Sequence, residues 1–518
     1  MGKSAAGNPI ARWGRQRALA RQECRLMPEN IWSKNGGIYC GFGVTPTKPS
    51  DHQSILDEKW DAMPDRMNLY PNPADQNNRG DRHLLTVGPN GSGKTRRLLV
   101  PNLFKLKDWS VIVIDIKGEL AALTAAYRAS QTGHNVVVID PFGVMPKNYP
   151  RLIKKYGYLT SNGFNPIAAL DPKSDDFPDD ALTLAEAIIR VEGQEPHWSQ
   201  SAQDLIASLI MFVRLTIPDT GSFANVRTFL GQPAQEFRAT VRDMMIAGIR
   251  YDCEELTVKA GRFAELTGDN KELNSVISTA LTQTRWLDSR PVKADLARGG
   301  FDFASLKEQP TTVYLILPPR YLATHSTWLR LMITSILLPL LRSTEDARVP
   351  VLFMLDEFAQ LGKMPVIENN MALMRGYGIK LWPVFQDLAQ AKDLYKDRWE
   401  SFVGNAGVLQ SFAPQDVTTR EYLSKLSGQR LYWLKTGGTS ASTSTGGQHS
   451  QSSGTSESMQ YMPGPIYWPQ GLGNMDTGQA VLFSRGRAVR AWLPDPEDES
   501  DTLGLRKLMQ EAKRDYAV

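Results

Sequence analysis

The segment Gly88-Pro89-Asn90-Gly91-Ser92-Gly93-Lys94-Thr95 constrains this chain more than any other, because it satisfies the phosphate-loop pattern G-x-x-x-x-G-K-[ST]. Its surroundings fit: an apolar, strand-length run, Leu84 to Val87, leads in, and helical sequence starts at Lys94. The spacing has a chemical reason. Glycines let the backbone curl until its N–H groups point at phosphate oxygens, Lys94 reaches the β- and γ-phosphates, and the Thr95 hydroxyl ligates Mg²⁺. The expected ligands are therefore ATP and Mg²⁺, and the expected class is α/β.

A second stretch supplies the missing chemistry. Val351-Leu352-Phe353-Met354-Leu355 reads as a buried central strand that ends in Asp356-Glu357, on the edge where open α/β sheets bind ligands. Asp356 can hold the Mg²⁺ shell while Glu357 polarises the attacking water. Strands often end in a lone acid, so the doublet is the informative part; it separates the chain from GTPases and kinases, which position the nucleophile with other residues. Arg375, at the end of a helix before Gly376-Tyr377-Gly378, reads two ways: as a donor to a neighbouring subunit's γ-phosphate in a ring, or as a cation favoured by the helix dipole. Gln386 could sense the γ-phosphate or cap a strand end. Asp115 and Asp140 end predicted strands on the same face and read as turn formers rather than catalytic groups.

Strand-length runs recur at Leu84–Val87, Val111–Ile114, Val136–Ile139, Thr312–Leu317, Val351–Leu355, Ile379–Phe385, Val408–Phe412 and Ala480–Phe483. Most alternate with helical sequence, which predicts a mainly parallel sheet covered on both faces. From Asp171 to Gly300 only helical periodicity appears, so an all-α domain is expected to be inserted between two strands. The predicted organisation is a basic arm and lead-in over 1–80 and the first part of the nucleotide-binding domain over 81–170. The inserted all-α domain follows over 171–300, then the second part of the nucleotide-binding domain over 301–518. Within the lead-in, at most a short hairpin is expected near Ile38 to Val44. Within the last part, Thr436 to Ser458 holds 18 Gly, Ser or Thr among 23 residues and reads as a flexible loop. The charged tail from Ser500 reads as a solvated helix or a docking element.

Net charge is +4 in 518 residues, too modest to demand a nucleic-acid partner. Its placement says more. Six basic residues and one acid lie between Met1 and Met27, so the arm carries +5 and the rest of the chain −1. Three scattered cysteines and six dispersed histidines exclude a disulfide framework and a zinc module. No apolar run reaches the length of a membrane span, so the chain as given is expected to be soluble.

Taken together, these residues resemble the coupling proteins of conjugation and type IV secretion, the TraG/TraD kind. The matching stretches are the phosphate loop with Val100-Pro101-Asn102-Leu103, Val113-Ile114-Asp115-Ile116-Lys117-Gly118-Glu119-Leu120, Asp140-Pro141-Phe142-Gly143 and Phe164-Asn165-Pro166. His197-Trp198-Ser199 with Ala202, Leu355-Asp356-Glu357-Phe358 with Leu361-Gly362, Arg375-Gly376-Tyr377-Gly378 running to Gln386, and Gly478-Gln479 to Arg487 continue the match. The resemblance implies a RecA-like P-loop ATPase domain with an all-α domain, assembled as a homo-hexamer around a channel. It also implies ATP hydrolysis, backbone contacts to DNA with little sequence preference, and delivery of relaxase-bound DNA or effector proteins to secretion-channel components. Lys94, Thr95, Asp356 and Glu357 match the family's nucleotide site, and Arg375 its trans-acting arginine. Typical members begin with transmembrane helices and sit on the cytoplasmic side of the bacterial inner membrane. This chain shows none, so either an anchor precedes its numbering or it is a soluble relative. The expected function is an ATP-driven DNA-translocating coupling protein. Its rivals are an effector-protein secretion receptor and a non-hydrolysing recruitment scaffold, which would have no use for a water-activating Glu357.

Overall fold

The computed structural model describes residues 38–40, 42–43, 67–68, 83–191, 196–265, 271–342, 347–443, 451–484, 486–499, 501 and 503–516. The basic arm lies outside them. Its strands are β1 (Phe42–Gly43), β2 (Met67–Asn68), β3 (His83–Val87), β4 (Ser110–Asp115), β5 (Asn135–Ile139), β6 (Thr311–Ile316) and β7 (Val351–Leu355). They continue with β8 (Ile379–Phe385), β9 (Ala406–Phe412), β10 (Gln429–Thr443), β11 (Gln451–Pro465), β12 (Gln479–Ser484) and β13 (Arg487–Trp492). Eleven of these described strands form one sheet in the order β2-β1-β13-β12-β9-β3-β8-β7-β4-β6-β5. From β9 to β5 the pairing is parallel, and β12, β13, β1 and β2 add an antiparallel flank.

The apolar run of β7 shows why the sheet is covered twice. Successive side chains point to opposite faces, so Val351, Phe353 and Leu355 enter one core while Leu352 and Met354 enter the other. Burying each such side chain contributes roughly 1.5–3 kcal/mol, which only a two-sided cover can supply to every residue of the strand.

Behind the phosphate loop, a wide π-type turn over Thr95–Leu99 runs into α1 (Val100–Lys105); α2 (Glu119–Ala129) follows β4. Between β5 and β6 lie α3 (Phe177–Ile188), α4 (Pro196–Thr216), α5 (Phe223–Leu230), α6 (Ala234–Arg250), α7 (Glu254–Glu265) and α8 (Lys271–Gln283), and no strand among the described residues. α5 starts cleanly because Ser222 and Asn225 exchange side-chain-to-backbone hydrogen bonds across its first turn. After β6 comes α9 (Pro319–Arg342), which bolts to α3 through Arg342 to Asp180 and through Arg330 Nη2 donating to the Glu186 carbonyl at 3.1 Å. Later helices include α10 (Pro365–Met374), α11 (Leu388–Tyr395) and α12 (Arg506–Tyr516). No helix among the described residues is long and apolar enough to cross a membrane.

Two expectations need correction. The lead-in is not loose at its described residues 38–40 and 42–43: Ile38, Tyr39 and Cys40 are buried, and β1 pairs with β13 and β2, while the rest of the expected hairpin to Val44 lies outside the described residues. Asn102 of α1 holds this segment, accepting from the Tyr39 N–H at 2.7 Å and donating to its carbonyl at 3.0 Å. In its described residues, 436–443 and 451–458, the expected flexible loop is instead a paired ribbon: β10 and β11 run antiparallel from Gln429↔Pro465 to Thr443↔Gln451, and the rest of the loop lies outside the described residues. Ser, Thr and Gly carry little hydrophobic signal, yet the backbone of such residues extends the ladder that the apolar ends of the two fifteen-residue strands begin. Of the two readings of the tail, the docking element is the one found: in α12, Met509 is buried and Lys155 pairs with Asp515 at 2.8 Å.

Candidate nucleotide site

The phosphate loop leaves the C-terminal end of β3, where the Gly88 N–H donates to the Phe385 carbonyl at 2.9 Å. Gly91 and Gly93 take φ of +80° and +86°, the left-handed region that lets the backbone curl around an anion. At Gly93 a side chain would be strained by this φ and would also crowd Arg97, with a Cβ 3.0 Å from its Cδ. Ser92 Oγ is buried without a hydrogen-bond partner, a polar atom with no employment inside the chain. Lys94 is only 6% exposed. Its ammonium donates to the Gly88 carbonyl and to Glu357 Oε1, each at 3.3 Å.

β7 delivers the carboxylates to the same place, although β8 separates it from β3 in the sheet. Asp356 Oδ2 accepts from the Thr95 hydroxyl at 3.5 Å, and Asp356 Oδ1 from the Glu357 N–H at 3.1 Å. Burial pushes the Asp356 carboxyl up to about 6; Lys94 opposes that rise and the Glu357 charge adds to it. Glu357 stands at φ +54°, a left-handed backbone that a non-glycine residue adopts only when its surroundings hold it there. Its side chain lies between two donors, Lys94 Nζ on Oε1 and Gln386 Nε2 on Oε2 at 2.8 Å.

The structure therefore brings together Gly88 to Thr95, Asp356, Glu357 and Gln386. Gln386 sits at the end of β8 between the other two strand ends, its N–H donating to Gln390 Oε1 at 3.1 Å. Arg375 is not among them. It precedes β8, so the seven residues of that strand put it about 23 Å away, on the opposite edge of the sheet. Asp115 and Asp140 fill turn-forming places: Asp115 Oδ2 accepts from the Ala121 N–H at 2.8 Å, and Asp140 Oδ2 from the Met145 N–H at 2.8 Å. Burial raises both carboxyls, Asp115 to about 7.

Sequence reasoning passed over the outer wall of the loop. Arg96 pairs with Asp495 and Glu497, and Arg97 Nη1 donates to the Leu493 carbonyl at 3.0 Å beside Gly478. The resemblance at Gly478 to Arg487 pointed to this region but not to its contact with the phosphate-loop helix.

The chemistry available here is specific. A curled run of N–H groups, a buried ammonium and an unemployed hydroxyl face one place, suited to a polyphosphate. Thr95 Oγ1 and Asp356 Oδ2 are hard oxygen donors set close together, the kind Mg²⁺ takes from a protein while keeping most of its water and phosphate ligands. Glu357, held at both oxygens and aimed by an unusual backbone, is placed to accept a proton.

Comparison with known proteins agrees with this geometry. The family described as type IV secretory system conjugative DNA transfer matches residues 58–490. The conjugal transfer protein TraG of Escherichia coli is 27% identical over 382 residues, covering 68% of this chain and 55% of that protein. VirD4 of Agrobacterium fabrum (strain C58 / ATCC 33970) is 29% identical over 360 residues, covering 68% and 50%. The chain thus spans about half the length of the curated relatives it matches. Among solved structures, the bacterial conjugative coupling protein TrwB superposes with a TM-score of 0.58 at 14% identity, over 80% of this chain and 85% of that one. Its complex with ADP and Mg²⁺ gives 0.57. Both matches establish a shared fold, a RecA-like α/β domain with helical additions.

Proposed function

Because the chain belongs to the family of type IV secretory system conjugative DNA transfer proteins, we propose that it is an ATP-driven coupling protein. It binds ATP-Mg²⁺, hydrolyses it, and uses the cycle to move relaxase-bound DNA toward a type IV secretion channel at the bacterial inner membrane. One observation carries the reading: Lys94, Thr95, Asp356 and Glu357, drawn from two strands that are not neighbours, converge within 3.3–3.5 Å contacts. That TrwB, which shares the fold, has been solved with ADP and Mg²⁺ supports the same ligands here.

The residues divide the work. The N–H groups of Gly88 to Thr95 bind the phosphates, and Lys94 exchanges its Glu357 contact for the β- and γ-phosphate oxygens. Mg²⁺, when bound, neutralises phosphate charge and orients the triphosphate; Thr95 and Asp356 hold it. Freed of Lys94, Glu357 takes the proton of the attacking water, a step contributing about 10²–10⁴-fold. Gln386 keeps the Glu357 carboxylate in place. Arg375 cannot reach its own pocket, so in a homo-hexameric ring it serves the neighbouring subunit's γ-phosphate. DNA contacts go to the backbone and weaken steeply with salt.

ATP turnover by the wild type and by Glu357→Gln, with and without DNA at low salt, tests the reading. Turnover should rise with DNA, and the variant should lose about 10²–10⁴-fold in turnover while still binding nucleotide. A Glu357→Gln protein turning over at the wild-type rate would falsify the motor assignment. Turnover indifferent to DNA but raised by secreted proteins would move the substrate class to protein.

A further inference from the structure

We propose that Arg190 is a positioning residue that couples the helical insertion to the loop carrying Glu357, an inference that rests on the motor reading above. Arg190 lies two residues beyond α3, and nothing in its sequence neighbourhood marks it.

Its backbone belongs to the insertion. Gln203 of α4 donates to the Ile189 carbonyl at 2.9 Å. Gln283 of α8 then grips Arg190 from both sides, its Oε1 accepting from the Arg190 N–H at 2.5 Å and its Nε2 donating to the Arg190 carbonyl at 2.9 Å. Two side-chain amides from separate helices thus hold a turn outside any regular element, so a shift of α4 or α8 moves it.

Its guanidinium belongs to the nucleotide edge. Arg190 Nη2 donates to Ser326 Oγ of α9 at 3.2 Å and to the Leu361 carbonyl at 3.4 Å. The group also lies against Gly362, where φ is +70° and a Cβ would come within 3.1 Å of Nη1 and 3.2 Å of Cζ. Any residue but glycine would be strained at this φ and would crowd the guanidinium by a few tenths of an ångström.

Leu361 and Gly362 end a single short helical turn, Phe358–Leu361, that Glu357 begins. The Gln360 N–H donates to the Glu357 carbonyl at 2.9 Å and the Gly362 N–H to the Ala359 carbonyl at 3.1 Å, while Phe358 and Leu361 are buried. So compact a unit moves as one body. Glu357 is held at its carboxylate by Lys94 and Gln386, and the other end of its turn is held by Arg190. A substrate pulling on the insertion therefore acts on the placement of Glu357, and a phosphate that displaces Lys94 acts on the insertion; linkage requires both directions.

The full chain tests this with Arg190→Ala and with Gln283→Leu, which cuts the insertion end and leaves the guanidinium untouched. In the wild type, a non-hydrolysable ATP analogue with Mg²⁺ should slow amide exchange at 356–362 and also at 189–190 and 280–284. In both variants the protection should stop at the 356–362 loop. Single-stranded DNA should stimulate their kcat less than the wild type's by about fivefold or more, with KM for ATP unchanged. Gln283→Leu decides the matter should Arg190→Ala fail to fold. Variants that keep the distant protection and the full stimulation overturn the inference. A wild type that binds the analogue without DNA stimulation counts against the DNA reading alone, because the exchange comparison still decides the coupling. A wild type that binds no analogue removes both.

Discussion

The helix behind the phosphate loop has two polar ends, and they are built on opposite principles. At its start, Lys94 makes two long 3.3 Å contacts, Ser92 Oγ has no partner, and burial lifts the Asp356 carboxyl. At its finish, Arg128 of α2 donates to the carbonyls of Leu103 at 2.6 Å, Leu106 at 3.0 Å and Trp109 at 2.9 Å, and to the Thr312 hydroxyl. His134 completes that end, bridging the Lys107 carbonyl at 3.0 Å and Thr312 Oγ1 at 2.8 Å. Both clusters are buried and charged. A cation that caps the last carbonyls of a helix with near-ideal bonds has nothing left to offer a ligand. The under-used groups at the other end have a great deal, and this difference separates a structural polar cluster from a binding site.

Paired substitutions at the two ends give the largest expected effect. Arg128→Met should lower unfolding stability by about 3 kcal/mol or more, since several buried carbonyls lose their donor at once. Lys94→Met, which removes a cation held only by two long contacts, should cost less stability than Arg128→Met and abolish nucleotide binding. Denaturant titration alongside binding of a fluorescent ATP analogue checks both; equal stability losses would erase the contrast. Next comes pH. Burial, and then the nearby Arg128 charge, depress the His134 ring to about 4. The unfolded ring binds its proton at the ordinary value, so stability is fully present above about pH 6.5 and is lost as pH falls toward 4. A loss of roughly 2–3 kcal/mol is expected from such a shift. His134→Asn should flatten that slope in pH-dependent melts, and an unchanged slope would place the titration elsewhere. The smallest effect tests the loose end alone. Gln386→Leu frees one Glu357 oxygen and should cut ATP turnover by about tenfold without changing nucleotide affinity; steady-state kinetics would show it, and a weakened affinity instead would mean that Gln386 serves the phosphates.

Much of this was legible beforehand, for definite reasons. The phosphate loop and Asp356-Glu357 announce themselves because their chemistry fixes residue type and spacing at once, and the apolar run of β7 announces a strand buried on both faces. Helical periodicity between β5 and β6 was equally plain. The ribbon of β10 and β11 was hidden because backbone pairing leaves no mark on a Ser, Thr and Gly sequence. β13 and the Tyr39 segment were hidden by distance: their partners are set by tertiary pairing, with Phe42 opposite Trp492. Arg190 is hidden more deeply still, since its contacts reach 93 and 171 residues along the chain. Spacing could say that Gln386 ends a strand; only the fold shows that the group beside it is Glu357.

The insertion leaves from β5 and returns through β6, the last two strands at one border of the sheet. Topologically it is one β-to-β crossover grown to great length, touching the later strand connections through α9 and through the turn that Glu357 begins. Such a module can lengthen, shrink or be exchanged without disturbing the order β3-β8-β7 that assembles the pocket. The helical crossover and the nucleotide pocket can therefore change at different rates within one polypeptide, provided that whatever replaces the crossover still presents a handle to the turn behind Glu357.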